Sequence, residues 1–219
     1  MPKPTFFNLP AEKRERFVHE ALEEFARHPY DTASVSAIVE RLGIAKGSVY
    51  QYFHGKRDLF EWLVLEAGQR RRTWLAAHPP PPGMPFFERL RRDYRLAMQE
   101  WQEAPLWSRV RLRLIEPTKD DTLEGFRMEL RRMGHRYIVD LLRSGQTEGA
   151  VRADLNVDVA AHLVMGMLQQ GLLEALLARA GIDLAKLPDD PYAASAIPKE
   201  ALYEIADVAV DQLARGIGT

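Results

Sequence analysis

The stretch GIAKGSVYQYF, residues 43–53, decides how this sequence is interpreted. Before it, residues 34–42 place apolar side chains at three- and four-residue steps, which predicts a short helix that Ser34 caps and Gly43 ends. The next residues form a three-residue turn, and a second short helix is predicted over 46–53. Two short helices joined in this way have the layout of a helix-turn-helix.

The second of these helices is predicted to bury one side and expose the other. Val49 and Phe53 lie four residues apart and must face the core. The other side chains suit DNA, because a glutamine amide can pair with an adenine edge, a hydroxyl can bind base or phosphate, and a glycine permits close approach. A lysine at a helix start adds to backbone N–H groups that hold phosphates. The predicted DNA-facing residues are Lys46, Gly47, Ser48, Gln51 and Tyr52, with Lys56 at the start of the next helix.

At these residues the sequence resembles the tetracycline-repressor (TetR) family of bacterial transcription regulators. The resemblance covers about residues 9–60 and is most specific at 34–35, 43–53 and 56–60. It implies an all-α homodimer of about nine helices, in which the first three bind double-stranded operator DNA and the rest bind a small-molecule inducer. The roles it implies are phosphate contacts for Ser34 and Lys56, phosphate or thymine-methyl contacts for Tyr50 and Tyr52, and base contacts for Ser48 and Gln51.

Two residues depart from the usual pattern of the family. Ala45 stands where members often carry serine, so the side-chain cap of the second short helix and its DNA contact are expected to be missing. Pro29 stands where members commonly have glycine, so the first helix must end by a different geometry. Two assignments stay open. Tyr50 can brace helices instead of contacting DNA, and Ser34 can cap its helix with or without a phosphate contact.

Helical periodicity continues along almost the whole chain, and convincing strands flanked by turns are absent, so the fold class is predicted to be all-α. The first helix is predicted over 10–27, and a long one from 56 to about 77 ends before the proline run at 79–82. Residues 110–114 alternate like a strand, but a helix also fits, and we favour the helix. Further helices are predicted at about 87–101, 106–114, 123–141, 157–180 and 198–216.

These helices are predicted to divide into two domains. Residues 1–55 form the helix-turn-helix DNA-binding domain, and residues 56–219 form a larger ligand-binding and dimerisation domain, with the first helix of the second domain linking the two. Within the predicted helix 157–180, residues 157–177 are apolar on nearly all sides. We therefore predict that residues 157–180 and 198–216 form a homodimer interface, the alternative being burial of a central helix within one subunit.

A small-molecule cavity is predicted among the later helices, because large aromatic and flexible side chains with a few polar groups suit such a site. Ordinary core packing is the alternative for each residue. Arg109, Arg111 and Arg113 are expected to form a solvated arginine face, the alternative being a site for an anionic ligand. The inducer itself is unknown from the sequence. The candidate residues are Trp101, Trp107, Phe126, Met133, Tyr137, Met165 and Gln169.

Composition excludes several classes of function. The absence of cysteine excludes a disulfide framework, a thiolate metal site and a cysteine nucleophile. The six histidines show no metal-ligand pair or catalytic motif, so we expect no enzyme, no metal and no cofactor. Without a long apolar run or a signal-peptide pattern, we expect no membrane partner and a cytoplasmic location, associated with the nucleoid when bound to the operator.

The sequence therefore predicts a ligand-responsive DNA-binding transcriptional regulator, a repressor that binds a palindromic operator as a dimer and is released by a small lipophilic molecule. The competing interpretation is a helical ligand-binding or scaffolding module whose helix-turn-helix no longer reads DNA. The net charge of −1 favours neither. Salt-dependent retention on duplex DNA separates them, because a protein that binds phosphates loses affinity steeply as salt rises.

Overall fold

The computed structural model describes residues 1–167, 171–181, 190 and 192–219. Over these residues the chain forms eleven α-helices, and β structure is limited to an isolated bridge between Val151 and Gly218. The prediction of an all-α fold with an N-terminal helix-turn-helix is confirmed. The helices are α1 (Pro4–Phe7), α2 (Ala11–Arg27), α3 (Val35–Leu42), α4 (Gly47–Tyr52), α5 (Lys56–Ala76), α6 (Phe86–Glu103), α7 (Pro105–Leu112), α8 (Asp121–Thr147), α9 (Val157–Gly166), α10 (Leu172–Arg179) and α11 (Lys199–Ile217).

Two features separate these eleven helices from the nine expected. Helix α1 was not predicted, because four residues are too few to show a period. The segment predicted as one helix over 157–180 is described as α9 and α10, and residues 168–170 between them lie outside the described residues. The predicted helix over 106–114 is confirmed as α7, which continues into a 3₁₀ turn at Arg113–Ile115.

The predicted helix ends around the helix-turn-helix are also confirmed. Ser34 Oγ accepts a hydrogen bond of 3.4 Å from the Ala37 N–H at the start of α3, and Gly43 ends that helix with a φ of +68°. Helix α2 stops at Arg27, and His28 is extended, as is usual for a residue before proline.

The largest core cluster joins the helix-turn-helix to the helices that follow it. Fully burying a large apolar side chain contributes about 1.5–3 kcal/mol relative to its exposure, and several of the most buried ones come from beyond residue 55. Residues 1–55 therefore do not enclose their core alone. The contributors from later in the chain are Leu59, Phe60, Leu63 and Val64 of α5, Leu106 and Val110 of α7, and Leu123 of α8.

Two further clusters hold the remaining helices together. Leu90 of α6 packs with Val139 and Leu142 of α8, Val164 of α9 and Val210 of α11. A third cluster joins α6 to α10 and α11. Helices α6 and α11 also pack along each other, where Arg95 Nε donates to Asp207 Oδ1 at 2.7 Å. Among the described residues, no helix combines the length and apolar character needed to cross a bilayer.

Candidate nucleic-acid interface

Helix α4 buries one side and leaves the other open, as its sequence predicts. Val49 and Phe53 are fully buried, whereas Lys46, Gly47 and Gln51 are exposed. Within the described part of the chain, the Lys46 and Gln51 side chains have no hydrogen bond or ion pair. A charged donor and an amide are therefore available on one surface of a short helix, where they can meet the edge of a base pair or a phosphate.

The two tyrosines of α4 have different surroundings. Tyr50 is 49% exposed, and it is absent from the core cluster that the neighbouring Val49 joins. Tyr52, predicted to face outward, is half-buried instead. Its ring lies 5.8 Å from that of Phe17 and 6.1 Å from that of Phe6, measured between centroids. The cause is the unpredicted helix α1, which covers this side of α4.

The N-terminal end of α4 is open. Lys46 already has helical backbone angles, and no side chain caps the helix, which confirms the consequence expected from Ala45. The Ala45 carbonyl accepts a hydrogen bond of 2.8 Å from the Ser48 N–H, and the Ser48 side chain is half-buried. A β-carbon added at Gly47 would meet no atom within 4 Å. Packing therefore does not require this glycine, and space for a ligand lies in front of it.

Lys56, predicted to bind phosphate, is half-buried and donates to the protein's own backbone. Its ammonium donates to the carbonyl oxygens of Tyr30 at 2.8 Å, Ala33 at 3.2 Å and Asp31 at 3.4 Å, and it lies 4.5 Å from the centroid of the Tyr30 ring. An ammonium has three N–H donors, and these contacts use all of them. Lys56 thus fixes the loop between α2 and α3 through three of its carbonyl groups.

Ser34 is also tied to a buried carboxylate that the sequence did not reveal. The Ser34 N–H donates to Glu24 Oε1 at 2.7 Å, and Arg41 Nη1 donates to Glu24 Oε2 at 3.0 Å. Glu24 is only 3% exposed, and Arg41 also pairs with Glu20. The sequence feature that could have indicated this network is the position of Glu24, beside Phe25 on the apolar face of α2. This network fixes α3 on α2 and so sets the position of the turn before α4.

The loop between α2 and α3 is held from the other side by residues just before α8. Tyr30 Oη donates to Asp120 Oδ2 at 3.1 Å, and burial, followed by this hydrogen bond, raises the pKa of Tyr30. Asp31 accepts hydrogen bonds from Thr118 Oγ1 at 2.7 Å and the Lys119 N–H at 3.0 Å. These bonds hold the pKa of Asp31 below its usual value. The helix-turn-helix is thus connected to the rest of the chain through its own loop.

The three arginines of the α7 region are not a solvated face. Arg109 and Arg113 are 6% and 4% exposed, and Arg111 Nη2 pairs with Glu100 Oε2 at 3.1 Å. Arg113 Nη1 donates to both carboxylate oxygens of Glu116 at 2.7 Å. The expectation of a solvated arginine face is therefore wrong.

Arg109 is the least compensated of these arginines. Its Nη2 lies 3.5 Å from Glu116, whose oxygens already pair with Arg113, and its buried Nε has no hydrogen-bond partner. Burial lowers the pKa of Arg109 to about 10, and the nearby Arg113 charge acts in the same direction. The cluster as a whole holds three arginines against Glu100 and Glu116, which leaves one positive charge unmatched.

The structure distributes the predicted ligand-binding residues over separate places. Trp101 is buried against α10 and α11, Trp107 and Phe126 pack on the largest cluster, and Gln169 lies outside the described residues. Met133 and Tyr137 are 49% and 64% exposed, so they do not line an enclosed cavity. The buried face of α8 changes along its length, because its first half packs on the largest cluster and its second half on α9.

An open groove between α8 and α9 includes the remaining candidate, Met165. Its volume is about 330 Å³. The His135 and His162 rings meet there with centroids 4.1 Å apart. Among the described residues no group of three or more histidine, aspartate or glutamate side chains is arranged to hold a metal ion. The lining residues are Met128, Arg131, Arg132, His135, Arg136, His162 and Met165.

This geometry defines a helix-turn-helix regulator, and comparison with known proteins specifies its family. A sequence model described as "Bacterial regulatory proteins, tetR family" matches residues 17–63. The chain is 23% identical over 182 residues to the "Probable acrEF/envCD operon repressor" of Escherichia coli K12, a match that covers 79% of this chain and 80% of the relative. It is 27% identical over 165 residues to the "HTH-type transcriptional repressor KstR2" of Mycolicibacterium smegmatis, covering 71% and 75% of the two chains.

A solved structure is similar over the full length. The crystal structure of a TetR family transcriptional regulator from Chloroflexus aurantiacus J-10-FL has a TM-score of 0.77 and 29% sequence identity, and covers 100% of this chain and 99% of the other. Residues 17–63 therefore match the tetR family of bacterial regulatory proteins, and the whole chain is similar in fold to a regulator of that family. The repressors among its relatives support a DNA-binding transcriptional regulator.

Proposed function

We propose that this chain is a repressor that binds a palindromic operator as a homodimer and releases it when a small, mostly apolar molecule binds. The observation that carries the proposal is the exposed surface of α4, where Lys46 and Gln51 are exposed and unpaired within the described part of the chain while Val49 is fully buried. Two relatives named above as repressors support the direction of regulation.

The proposed DNA surface consists of the exposed residues of α4. Gln51 reads a base edge, and Ser48 and Gly47 allow close approach to the major groove. Lys46 and Tyr50 bind the sugar-phosphate backbone of the DNA. Ser34, Tyr52 and Lys56 support this surface from within, since their side chains contact the protein itself. Residues 1–55 and 56–219 thus divide by role, DNA binding against ligand binding and dimerisation, while sharing one core.

The proposed dimer interface lies on α9 and α11. Val159 and Leu163 on α9 are 56% and 71% exposed, and Val208 on α11 is 53% exposed. Large apolar side chains exposed on neighbouring helices mark a contact surface. In the proposed dimer, a twofold axis through this interface relates two copies of α4, one for each half-site of a palindrome.

The proposed ligand combines an apolar body with an anionic group. The groove between α8 and α9 presents Met128 and Met165 beside three arginines, so it can hold both parts of such a molecule. It also shares α9 with the exposed Leu163 of the proposed interface. A ligand in the groove can thereby change how the two subunits meet, and with it the spacing of the two α4 helices.

Two connections are proposed to carry this change to the DNA. Helix α5 has 21 residues and spans about 31 Å at 1.5 Å per residue. It begins at Lys56 beside the helix-turn-helix and carries Arg70 against Trp107 of α7, 4.5 Å from the ring centroid. The second connection is Arg113, which donates to the last turn of α2.

Selection of bound sequences from random duplexes tests DNA reading directly. We expect a palindromic site whose half-sites lie about one helical turn, ~34 Å, apart, and binding that weakens steeply as salt rises. If the bound duplexes share no sequence, the scaffolding interpretation is favoured. Calorimetry with lipophilic carboxylates, with and without the selected operator, then tests release, because operator and ligand must weaken each other's binding by the same factor.

A further inference from the structure

We propose that the segment of residues 3–6, called here the N-terminal segment, positions α4 by donating hydrogen bonds to its last carbonyl groups. Lys3 and Thr5 are the positioning residues. The proposal rests on the DNA-reading role proposed above for α4. It assigns a role to residues that lie outside the family match, which begins at Phe17.

Each of the last four carbonyl groups of α4 accepts a hydrogen bond. The last four carbonyls of any helix lack partners within it, and a helix of only six residues is marginal without outside support. The first of these four carbonyls in α4, Val49 O, accepts from the Phe53 N–H at 2.8 Å. The other three accept from the N-terminal segment: Tyr50 O from Lys3 Nζ at 2.7 Å, Gln51 O from Thr5 Oγ1, and Tyr52 O from the Lys3 N–H at 2.8 Å.

The N-terminal segment is anchored by Phe6, so its donors are held in place. Phe6 is 1% exposed. The centroid of its ring lies 5.0 Å from that of Phe53, 5.1 Å from that of Trp62 and 5.8 Å from that of Phe17. Because Phe53 directly follows α4, the anchor and the hydrogen bonds act on the same end of the helix. The segment and α4 therefore form one packed unit.

The opposite end of α4 makes this support necessary. No side chain caps its first turn. Among the described residues, the side-chain hydrogen bonds to the ends of α4 therefore come from Lys3 and Thr5, at its C-terminal end. Lys46 and Gly47 lie at the uncapped end, and the N-terminal segment leaves that end free for DNA. Lys3 is assigned to α4 because its ammonium donates to the Tyr50 carbonyl.

The first test needs no DNA. Amide hydrogen exchange is measured for Gln51, Tyr52 and Phe53 in the full chain carrying Thr5→Val or Lys3→Met. Thr5→Val keeps the shape of the side chain and removes the donor, whereas the control Thr5→Ser keeps the hydroxyl. We expect exchange about three- to tenfold faster for each hydrogen bond removed. The Thr5→Ser variant and the charge control Lys13→Met, on the exposed side of α2, should exchange like the native chain.

The second test measures DNA binding of the same variants. We expect the ratio of operator affinity to random-duplex affinity to fall about three- to tenfold, with an unchanged dependence on salt, because no phosphate contact is lost. Native exchange rates in both variants would overturn the proposal. So would a Lys3→Met variant with native exchange and a salt slope reduced by about one, which identifies a direct phosphate contact. If the native chain itself does not select an operator, the proposed function fails, and the exchange measurement still decides the role of the segment.

Discussion

Arg113 donates a hydrogen bond of 2.9 Å from Nε to the carbonyl oxygen of Phe25, in the last turn of α2. In a continuing helix that carbonyl would accept from the N–H of residue 29, but residue 29 is proline and has none. Arg113 Nη2 also donates to the Ala26 carbonyl at 2.6 Å. A side chain from beyond α7 thus completes the end of a helix in the DNA-binding part, which explains how α2 tolerates Pro29.

Replacing Arg113 should therefore destabilise the chain strongly. We expect Arg113→Met to lower the free energy of unfolding by about 3 kcal/mol, because two carbonyls and Glu116 lose a buried charged partner. Urea denaturation measures the effect. The control is Arg132→Met, which removes an exposed arginine paired with Glu129 at 3.6 Å, where a change of at most about 1 kcal/mol is expected.

A double-mutant cycle isolates the link to Pro29. Pro29→Ala restores an N–H that can reach the Phe25 carbonyl, so the cost of Arg113→Met should be about 1 kcal/mol smaller in the Pro29→Ala background. Equal costs in both backgrounds would show that the two residues act independently.

Lys56 offers a test between a structural role and a phosphate contact. Its three hydrogen bonds to the loop between α2 and α3 lead us to expect that Lys56→Met lowers the free energy of unfolding by about 2 kcal/mol. The salt dependence of DNA binding should stay the same. The neighbouring Arg57→Met removes only an exposed pair with Glu61 at 3.3 Å and serves as control. A salt slope reduced by about one in Lys56→Met, with native stability, would restore the phosphate contact that the sequence implied.

The sequence predicts the helix-turn-helix well because the signals there are local. Ser34 and Gly43 fix the ends of α3, and the spacing of Val49 and Phe53 fixes the buried side of α4. The surroundings of Tyr52 could not be predicted, because they depend on Phe6, which is distant in sequence. The same limit applies to Lys56, whose partners are backbone carbonyls 23 to 26 residues earlier.

The ligand site could not be located from the sequence for a related reason. Leu130, Met133 and Tyr137 share one helical stripe of α8. Only Leu130 packs on the largest cluster, whereas Tyr137 is exposed. A period in the sequence shows which residues share a face, but the neighbouring helix decides whether that face is buried, and α8 changes neighbours along its length.

Gln51 and Lys46 should differ in the kind of effect their loss has on DNA binding. Gln51→Ala should relax base preference at one position in each half-site and cost about 1–3 kcal/mol there. Lys46→Ala should weaken all duplexes about equally and reduce the salt slope by about one. Fluorescence anisotropy on operator variants at several salt concentrations distinguishes them. If neither variant changes affinity or selectivity, the exposed side of α4 does not contact DNA.

A serine at residue 45 should strengthen α4. The Ala45 carbonyl accepts from the Ser48 N–H at 2.8 Å, which places residue 45 where a cap side chain acts. We expect Ala45→Ser to stabilise the first turn by about 1 kcal/mol and to slow amide exchange in α4. Ala45→Val, which has no oxygen, is the matched control. Equal exchange in the serine and valine variants would show that the first turn cannot use a cap.

The dimer interface is tested at Leu163, which is 71% exposed on α9. Light scattering of the native chain should give twice the chain mass of 25.0 kDa. In a twofold interface each substitution occurs twice, so Leu163→Glu buries two like charges and should raise the dimer dissociation constant at least about 100-fold, equivalent to about 3 kcal/mol. Operator affinity should fall with it, because a monomer reaches only one half-site. The control is Leu65→Glu, at a residue 38% exposed on α5, which should leave the mass unchanged. A Leu163→Glu chain that remains dimeric at micromolar concentration would place the interface away from this face of α9.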